Sequence, residues 1–115
     1  MKPLRITTDI DTSGVAILAV TGPLCADTGD RLTAAVSATI SEQGLTRLVV
    51  DLAQVDVADK AALDVLLECR AAALRAGLTF RVIRPQHPVR RVLHSSGVCR
   101  LLTWDSSPGL PPRLA

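Results

Sequence analysis

The chain alternates strand-length apolar runs with segments of helical periodicity, and this alternation constrains the fold more than any other feature. The clearest run is VAILAVT at residues 15–21, whose unbroken apolar character is typical of a strand buried on both faces of a sheet. Gly22 and Pro23 then interrupt the strand pattern. A shorter strand is predicted at residues 6–11, so the first two strands are predicted to form a hairpin.

Helices and strands are predicted in regular alternation after this hairpin. Apolar residues spaced three and four apart predict helices, and short β-branched runs predict strands. Glycine follows each helical pattern, where it is a common stop signal. The predicted helices are residues 27–43, 60–76 and 88–96, and the predicted strands are residues 46–51, 79–83 and 100–104.

This order, β-β-α-β-α-β-α-β, predicts a single α/β domain over residues 1–105, with a mostly parallel central sheet and helices packed on it. The remaining residues 106–115, SSPGLPPRLA, contain three prolines and one glycine. A segment of this composition is predicted to form a flexible C-terminal tail.

Composition narrows the functional classes. Tyrosine is absent and Phe80 and Trp104 are single, which argues against single-stranded nucleic-acid binding by base stacking. The three cysteines form no CxxC pair and are typical of buried, reduced thiols in a cytoplasmic protein rather than of a disulfide frame or a zinc site. The sequence shows neither a signal-peptide pattern nor an apolar run long enough to span a membrane. We therefore expect a cytoplasmic protein that binds neither nucleic acid nor membrane.

The charges divide unevenly between two parts of the chain. Residues 1–69 hold ten acids and five bases, whereas residues 70–115 hold one acid and eight bases. One interpretation is a solvated surface whose two parts compensate each other. The other is a pair of faces of opposite charge that are offered to partners.

No grouping of residues predicts catalysis. His87 and His94 lie seven residues apart, about 10 Å along a helix axis, which is too far to share one metal ion directly. Asp56 and Asp59 share one predicted loop, but two carboxylates in a single loop predict at most weak binding of a divalent cation. P-loop, GxGxxG, HExxH and GxSxG patterns are absent. We expect a non-catalytic protein without a cofactor or metal.

The segment LVVDLAQVDVADKAAL, residues 48–63, resembles the signature of STAS domains, which are named for sulfate transporters and anti-sigma factor antagonists. That signature is a buried strand ending in Asp-Leu, an apolar pair across a loop, and Asp-Ser-Ser-Gly-Leu opening a helix. Residues 82–98 resemble the family's later strand, short helix and glycine turn, and residues 22–24 resemble its Gly-x-Leu before the first helix. The residues that match the signature in spacing are Asp51, Leu52, Val55, Val57, Asp59 and Leu63.

The resemblance implies a STAS fold and a role in partner switching. In antagonists of that family, an anti-sigma factor that is also a serine kinase phosphorylates the first serine after the aspartate. The unmodified antagonist binds the kinase, and the phosphorylated one releases it. A phosphate of about −2 charge opposes docking through repulsion and desolvation.

This chain departs from the family pattern at the switch. Lys60 stands at the position of the phosphorylated serine, Ala61 at the next serine and Ala62 at the glycine. Cys25 stands where the family commonly has an acid. With no hydroxyl at residue 60, phosphorylation there is excluded. Lys60 also has a simpler interpretation. It is a surface lysine whose mildly unfavourable interaction with the helix dipole is partly offset by Asp59, the predicted N-cap of that helix.

The leading hypothesis is a STAS-domain regulatory protein that binds an anti-sigma factor, a serine kinase or a related regulator. The alternative is a STAS-type accessory protein that binds a nucleotide or lipid, or that works beside a transport system. The sequence leaves the partner's identity and the oligomeric state open. The expected partner-binding residues are Cys25, Asp27, Asp56, Val57, Asp59, Lys60 and Ala61.

Overall fold

A computed structural model describes residues 4–96 and 104–105 of the chain. The predicted α/β class and element order are confirmed. Residues 100–103 of the last predicted strand and the predicted tail, residues 106–115, lie outside the described residues. The elements are β1 (Arg5–Ile10), β2 (Val15–Leu24), α1 (Gly29–Ile40), β3 (Arg47–Ala58), α2 (Lys60–Arg75), β4 (Thr79–Ile83), α3 (His87–Ser96) and β5 (Trp104–Asp105).

The five strands form one sheet in the order β1-β2-β3-β4-β5. β1 pairs antiparallel with β2, as the predicted hairpin requires, and every later pair is parallel. Each helix joins two neighbouring parallel strands, and α2 packs against both α1 and α3. The main core lies between these helices and the sheet.

The central strands differ in how they are buried. In β2 the buried residues alternate with half-buried ones, so the prediction that its apolar run is buried on both faces is wrong. An unbroken apolar run does not reveal that only one face of the strand meets the helices. In β3, by contrast, five consecutive residues from Leu48 to Leu52 are buried, as suits the strand in the middle of the sheet.

β2 and β3 are longer than predicted, because Gly22 and Pro23 do not end the strand. Gly22 adopts φ 105°, a backbone conformation that favours glycine. The register with β3 shifts between Ala19 and Thr21 and again between Gly22 and Pro23. Such bulges accommodate a proline that has no N–H for the ladder. Pairing then continues to Leu24 and Ala58, so residues 55–58 are strand and not the predicted loop.

The helices also depart from prediction in detail. α1 spans Gly29–Ile40 rather than residues 27–43, because the residues before it form a separate turn. The apolar stripe of α2 is not buried along its whole length, because Leu74 is 47% exposed. Small side chains allow α2 to approach its neighbours closely, and the larger leucines pack beside them. The residues of α2 that are buried are Ala62, Leu66, Cys69 and Ala73.

The cysteine prediction is confirmed for one described thiol. Cys69 is buried and free, and burial, with a smaller contribution from the charge of Glu68, raises its pKa to about 12. Cys25 is free and half-buried, and Cys99 lies outside the described residues. A buried thiol with so high a pKa is an unreactive core residue.

Tight turns tie together one end of the sheet, which we call the closed end and define by Asp11, Gly14 and Thr46. The Asp11 carboxylate accepts hydrogen bonds from the Ser13 side chain and from backbone N–H groups of the turn, and these bonds lower its pKa. Gly14 adopts φ 91°, and its carbonyl accepts a bond of 2.8 Å from the N–H of Thr46. The hairpin turn is thereby fixed to the start of β3.

Candidate functional site

The predicted partner-binding residues lie at the opposite end of the sheet, where β2 and β3 run into α1 and α2. Leu24 and Ala58 are paired residues at the ends of the two strands, so Cys25 and Asp59 directly follow neighbouring positions. In open α/β sheets this is the end where ligands and partners commonly bind. We call the set Cys25, Asp27, Asp56, Val57, Asp59, Lys60 and Ala61 the helix-start surface.

Asp59 caps α2, as its position in the sequence predicted. Its backbone is extended, and its carboxylate accepts a hydrogen bond of 2.9 Å from the N–H of Ala61. Lys60 is the first residue of the helix and is exposed. It makes neither a hydrogen bond nor an ion pair to the residues that the structure describes. Its ammonium group is therefore presented to solvent at the positive end of the helix dipole.

The turn before α1 is organised by Thr28, whose importance the sequence did not reveal. Its hydroxyl donates to the carbonyl of Pro23 at 2.9 Å and accepts from the N–H of Cys25 at 3.0 Å. Thr28 occupies the N-cap position but makes no side-chain bond to the helix. A threonine three residues after the turn begins was the available signal, since such hydroxyls commonly bond nearby backbone groups. The hydroxyl fixes the turn that carries Cys25 and the exposed Asp27.

A glycine allows the start of α1 to pack closely against α2 beneath this surface. Gly29 is buried at the start of α1, and a Cβ atom placed there would lie 2.4 Å from Cγ2 of Val65 on α2. No side chain larger than hydrogen fits at that separation without a shift. The sequence placed Gly29 inside a predicted helix. A glycine in a helical pattern commonly marks such a close approach.

The end of β3 presents an apolar side chain to solvent. Val55 is buried, whereas Asp56 is exposed and Val57 is 54% exposed. Val57 pairs with Pro23, which places it above the turn that leads to α1. A single exposed valine is common on protein surfaces. Because it pairs with Pro23 and lies three residues before α2, it is an apolar contact point within a charged surface.

An ion pair between buried Asp51 and the more exposed Arg84 supports the part of β3 that carries this surface. Asp51 is 7% exposed and its carboxylate is bound by the guanidinium of Arg84, with Nε at 3.2 Å. The same carboxylate accepts a 3.0 Å bond from the N–H of Ala53, where the register with β2 shifts. Arg84 adopts φ 51°, and the carboxylate raises its pKa. Asp51 belongs to the recognised signature, but only the fold identifies Arg84 as its partner.

The remaining predicted chemistry gains no site from the fold. His87 is the exposed first residue of α3, and the side chain of His94 lies outside the described residues. Among the described side chains, those of residues 4–93, no group of three or more His, Cys, Asp or Glu residues is placed to hold a metal ion. None of the described helices combines the length and the apolar character that crossing a membrane requires.

The sequence matches the STAS domain over residues 7–109. An anti-sigma factor antagonist from Mycobacterium paratuberculosis shares 23% identity, with a TM-score of 0.77 over 91% of this chain and 87% of its own. A putative antagonist from Thermotoga maritima shares 21% identity, with a TM-score of 0.74 over 87% and 86% of the two chains.

The same fold occurs within a larger membrane protein. The murine anion transporter, solute carrier 26 family member A9, shares 13% identity with a TM-score of 0.69. The match covers 87% of this chain and 19% of the transporter. A search for curated relatives by sequence gave no match. At these identities the structural likenesses establish the fold, and the residues themselves must carry any statement about function.

Proposed function

This chain belongs to the STAS domain family, and from that premise we propose that it is a non-catalytic regulatory protein that binds an anti-sigma factor or a related kinase-type regulator. Binding takes place through the helix-start surface. The chain shares its fold with an anti-sigma factor antagonist and with a putative one, and the residues of the helix-start surface carry the proposal beyond the fold.

One observation carries the proposal: Lys60 is exposed at the first position of α2, directly after the capping Asp59. This is the position that the family signature gives to the phosphorylated serine. The ammonium group is held at the surface by a fixed helix start and is available to a partner. Exposed Val57 supplies apolar contact within the same surface.

Lys60 changes the charge logic of the switch. A serine at this position is neutral before modification and carries about −2 charge after it. Lysine is permanently cationic at neutral pH and accepts no phosphate at this position. The chain therefore binds its partner without a phosphorylation switch at residue 60, and the partner presents an acidic or polar surface to the lysine. Asp59, which directly precedes the lysine, and exposed Asp27, on the turn before α1, favour a partner that also carries basic groups.

The first test measures affinity for purified kinase-type anti-sigma factors by isothermal titration calorimetry. We expect Lys60→Glu and Asp59→Ala to weaken the complex, because one reverses the central charge and the other removes the cap that holds the helix start. Arg75→Glu is the matched control, since it reverses an exposed charge about 22 Å away at the other end of α2. Unchanged affinity in both surface variants would sink the assignment of this surface.

A second experiment asks whether the family's partner still recognises this chain. Wild-type protein and Lys60→Ser are used as baits in the native cell extract with ATP. We expect a kinase-type partner to bind both baits but to phosphorylate and release the serine variant alone. A serine variant that is neither modified nor released would indicate a partner without the family's kinase activity.

The fold within the anion transporter supports a second candidate, an accessory protein that acts beside a transport system or binds a nucleotide or lipid. A ligand that binds only the folded state raises the melting temperature. A thermal-shift screen with nucleotides and lipids therefore separates the candidates. A saturable shift that the Lys60→Glu variant retains would favour the accessory role.

A further inference from the structure

β1 is an outer strand of the sheet, and one of its edges has no neighbouring strand within residues 4–96 and 104–105. Its six residues, RITTDI, pair with β2 in a continuous antiparallel register. The strand contains neither a proline nor a bulge, two features that commonly protect a sheet edge from pairing with another chain. Four of its residues are β-branched, which favours the extended conformation.

The hairpin fixes which backbone groups of β1 face the open edge. The N–H of Asp11 donates to the carbonyl of Val15 at 3.0 Å, in the same register as the pairs of β1 with β2. Bonded and non-bonded pairs alternate along an antiparallel ladder, so every second residue directs its backbone groups away from β2. The residues whose backbone N–H and C=O groups point to the open edge are Ile6, Thr8 and Ile10.

The charges of β1 complement a second copy of the same strand. Arg5, Thr7 and Asp9 alternate with the outward-bonding residues, so their side chains share one face of the sheet. Arg5 and Asp9 are exposed and make no ion pair with the described residues. About a two-fold axis through Thr7, Arg5 of each strand lies opposite Asp9 of the other. Opposite charges in this cross-strand position stabilise strand pairing.

We propose that β1 pairs antiparallel with β1 of a second copy of this chain, giving a two-fold dimer whose two sheets are continuous. Thr7 meets its own copy at the axis, and Ile6 and Thr8 of opposite copies exchange about four backbone hydrogen bonds. The ladder ends at Arg5, because the carbonyl of Leu4 already accepts a 2.9 Å bond from Arg31.

Apolar surface beside the open edge also favours a covering strand. Ile10 is 42% exposed. It lines a shallow cleft of about 240 Å³ between β1 and α1. The other residues of this cleft are Thr8, Ala35, Ala38, Thr39 and Glu42. A second β1 strand would bring its own Ile6 opposite Thr8 and so alongside this cleft, on the face that the helices cover. The dimer is independent of the proposed partner binding, since it uses the strand edge and not the helix-start surface.

Sedimentation equilibrium over a dilution series at low salt tests the dimer. We expect wild-type protein to shift from monomer to dimer with concentration. Asp9→Arg should raise the dimer dissociation constant about tenfold or more, since it turns two attractive pairs into repulsive ones. The charge exchange Arg5→Asp/Asp9→Arg should restore dimerisation, and Asp64→Arg, which reverses an exposed charge on α2, should leave it unchanged. Circular dichroism confirms that each variant is folded.

Several results would overturn the proposal. These are a wild-type protein that stays monomeric throughout the series, an Asp9→Arg variant that dimerises like wild type, and a charge exchange that does not restore the dimer. If the edge of β1 instead pairs with an extended peptide from another protein, the wild-type protein will stay monomeric throughout the series.

A cross-linking experiment tests the register separately. Equivalent residues at the two-fold axis have Cα atoms about 4.5 Å apart, within the range of a disulfide. Under mild oxidation we expect Thr7→Cys to form a covalent dimer, whereas wild type and Thr8→Cys should not. Cross-linking through Thr8→Cys in place of Thr7→Cys would contradict the pairing of Arg5 with Asp9.

Discussion

The two ends of the sheet differ in how many of their polar groups are hydrogen-bonded within the fold. At the closed end, backbone hydrogen bonds tie the Gly14 turn to Thr46, and the carbonyl and carboxylate groups of the turn are occupied. At the opposite end, which carries the helix-start surface, Lys60 has no partner among the described residues and Val57 is 54% exposed. The difference suggests that substitutions at the closed end mainly change folding stability, whereas those on the helix-start surface mainly change partner binding.

The largest effect is expected from Gly14→Ala at the closed end. A side chain at φ 91° is strained, and the added Cβ would lie 2.6 Å from the carbonyl oxygen of Gly44. Together these should lower the free energy of unfolding by about 2–4 kcal/mol. Urea denaturation measures the loss.

Gly77→Ala is the matched control for this prediction. Gly77 has a similar φ of 82°, but no atom lies within 4 Å of the position of an added Cβ. Its substitution should cost about 1 kcal/mol, the contribution of backbone strain alone. Equal losses in the two variants would show that the contact with Gly44 contributes nothing to the closed end.

Gly29 lies beside the helix-start surface but is buried, so its substitution should change folding stability as a substitution at the closed end does. Gly29→Ala should cost roughly 1–3 kcal/mol, since the new Cβ collides with Val65. Val65→Ala should recover part of that loss. The double mutant should therefore be more stable than the sum of the single changes predicts, by about 1 kcal/mol. Strict additivity in urea denaturation would argue against a direct contact.

A smaller effect is expected at the α2 cap. Asp59→Ala removes the acceptor for the N–H of Ala61 and should cost about 1 kcal/mol. Asp59→Asn keeps an acceptor oxygen and should remain close to wild type. Asp27→Ala is the control at the other helix start, where no side-chain cap bond is present, and should change stability by less than about 0.5 kcal/mol. A comparable loss at Asp27 would contradict the distinction between the two starts.

The smallest effect on stability is expected for Lys60→Glu. Replacing a cation by an anion in the first helical turn should raise the free energy of unfolding by about 0.3 kcal/mol or more. Partner affinity should nevertheless fall, because the central charge of the surface is reversed. Thermal denaturation and calorimetry on the same sample test both parts. Parallel changes in stability and affinity would contradict the separation of the two roles.

The sequence predicted the cap of α2 more accurately than it predicted the ends of the strands that precede the two helices. Asp59 was recognised as a cap because an aspartate before a helical pattern acts locally, and the structure confirms its bond. The ends of β2 and β3 were predicted wrongly, because Gly22 and Pro23 usually stop a strand. Here bulges against a neighbouring strand absorb them. A local pattern contains no information about that neighbour.

The same limit applies to contacts between distant parts of the chain. Asp51 matched a family signature, but its ion pair is with Arg84, which directly follows β4. The two residues meet because β3 and β4 lie side by side in the sheet. The close approach of Gly29 to Val65 likewise depends on where α1 and α2 cross. Glycine and arginine have many uses in a sequence. Only a known partner tells which use applies.

By itself, the sequence determined the order of elements, the α/β class and the presence of a lysine where the family signature has a serine. These follow from the spacing of apolar residues and from local helix chemistry, which need no knowledge of distant contacts. The tertiary structure decided that β3 runs on to Ala58, that Cys25 and Asp59 follow paired strand positions, and that β1 has an open edge. Strand register and helix crossing are set by packing between segments far apart in the chain, so they emerge only when the whole sheet is assembled.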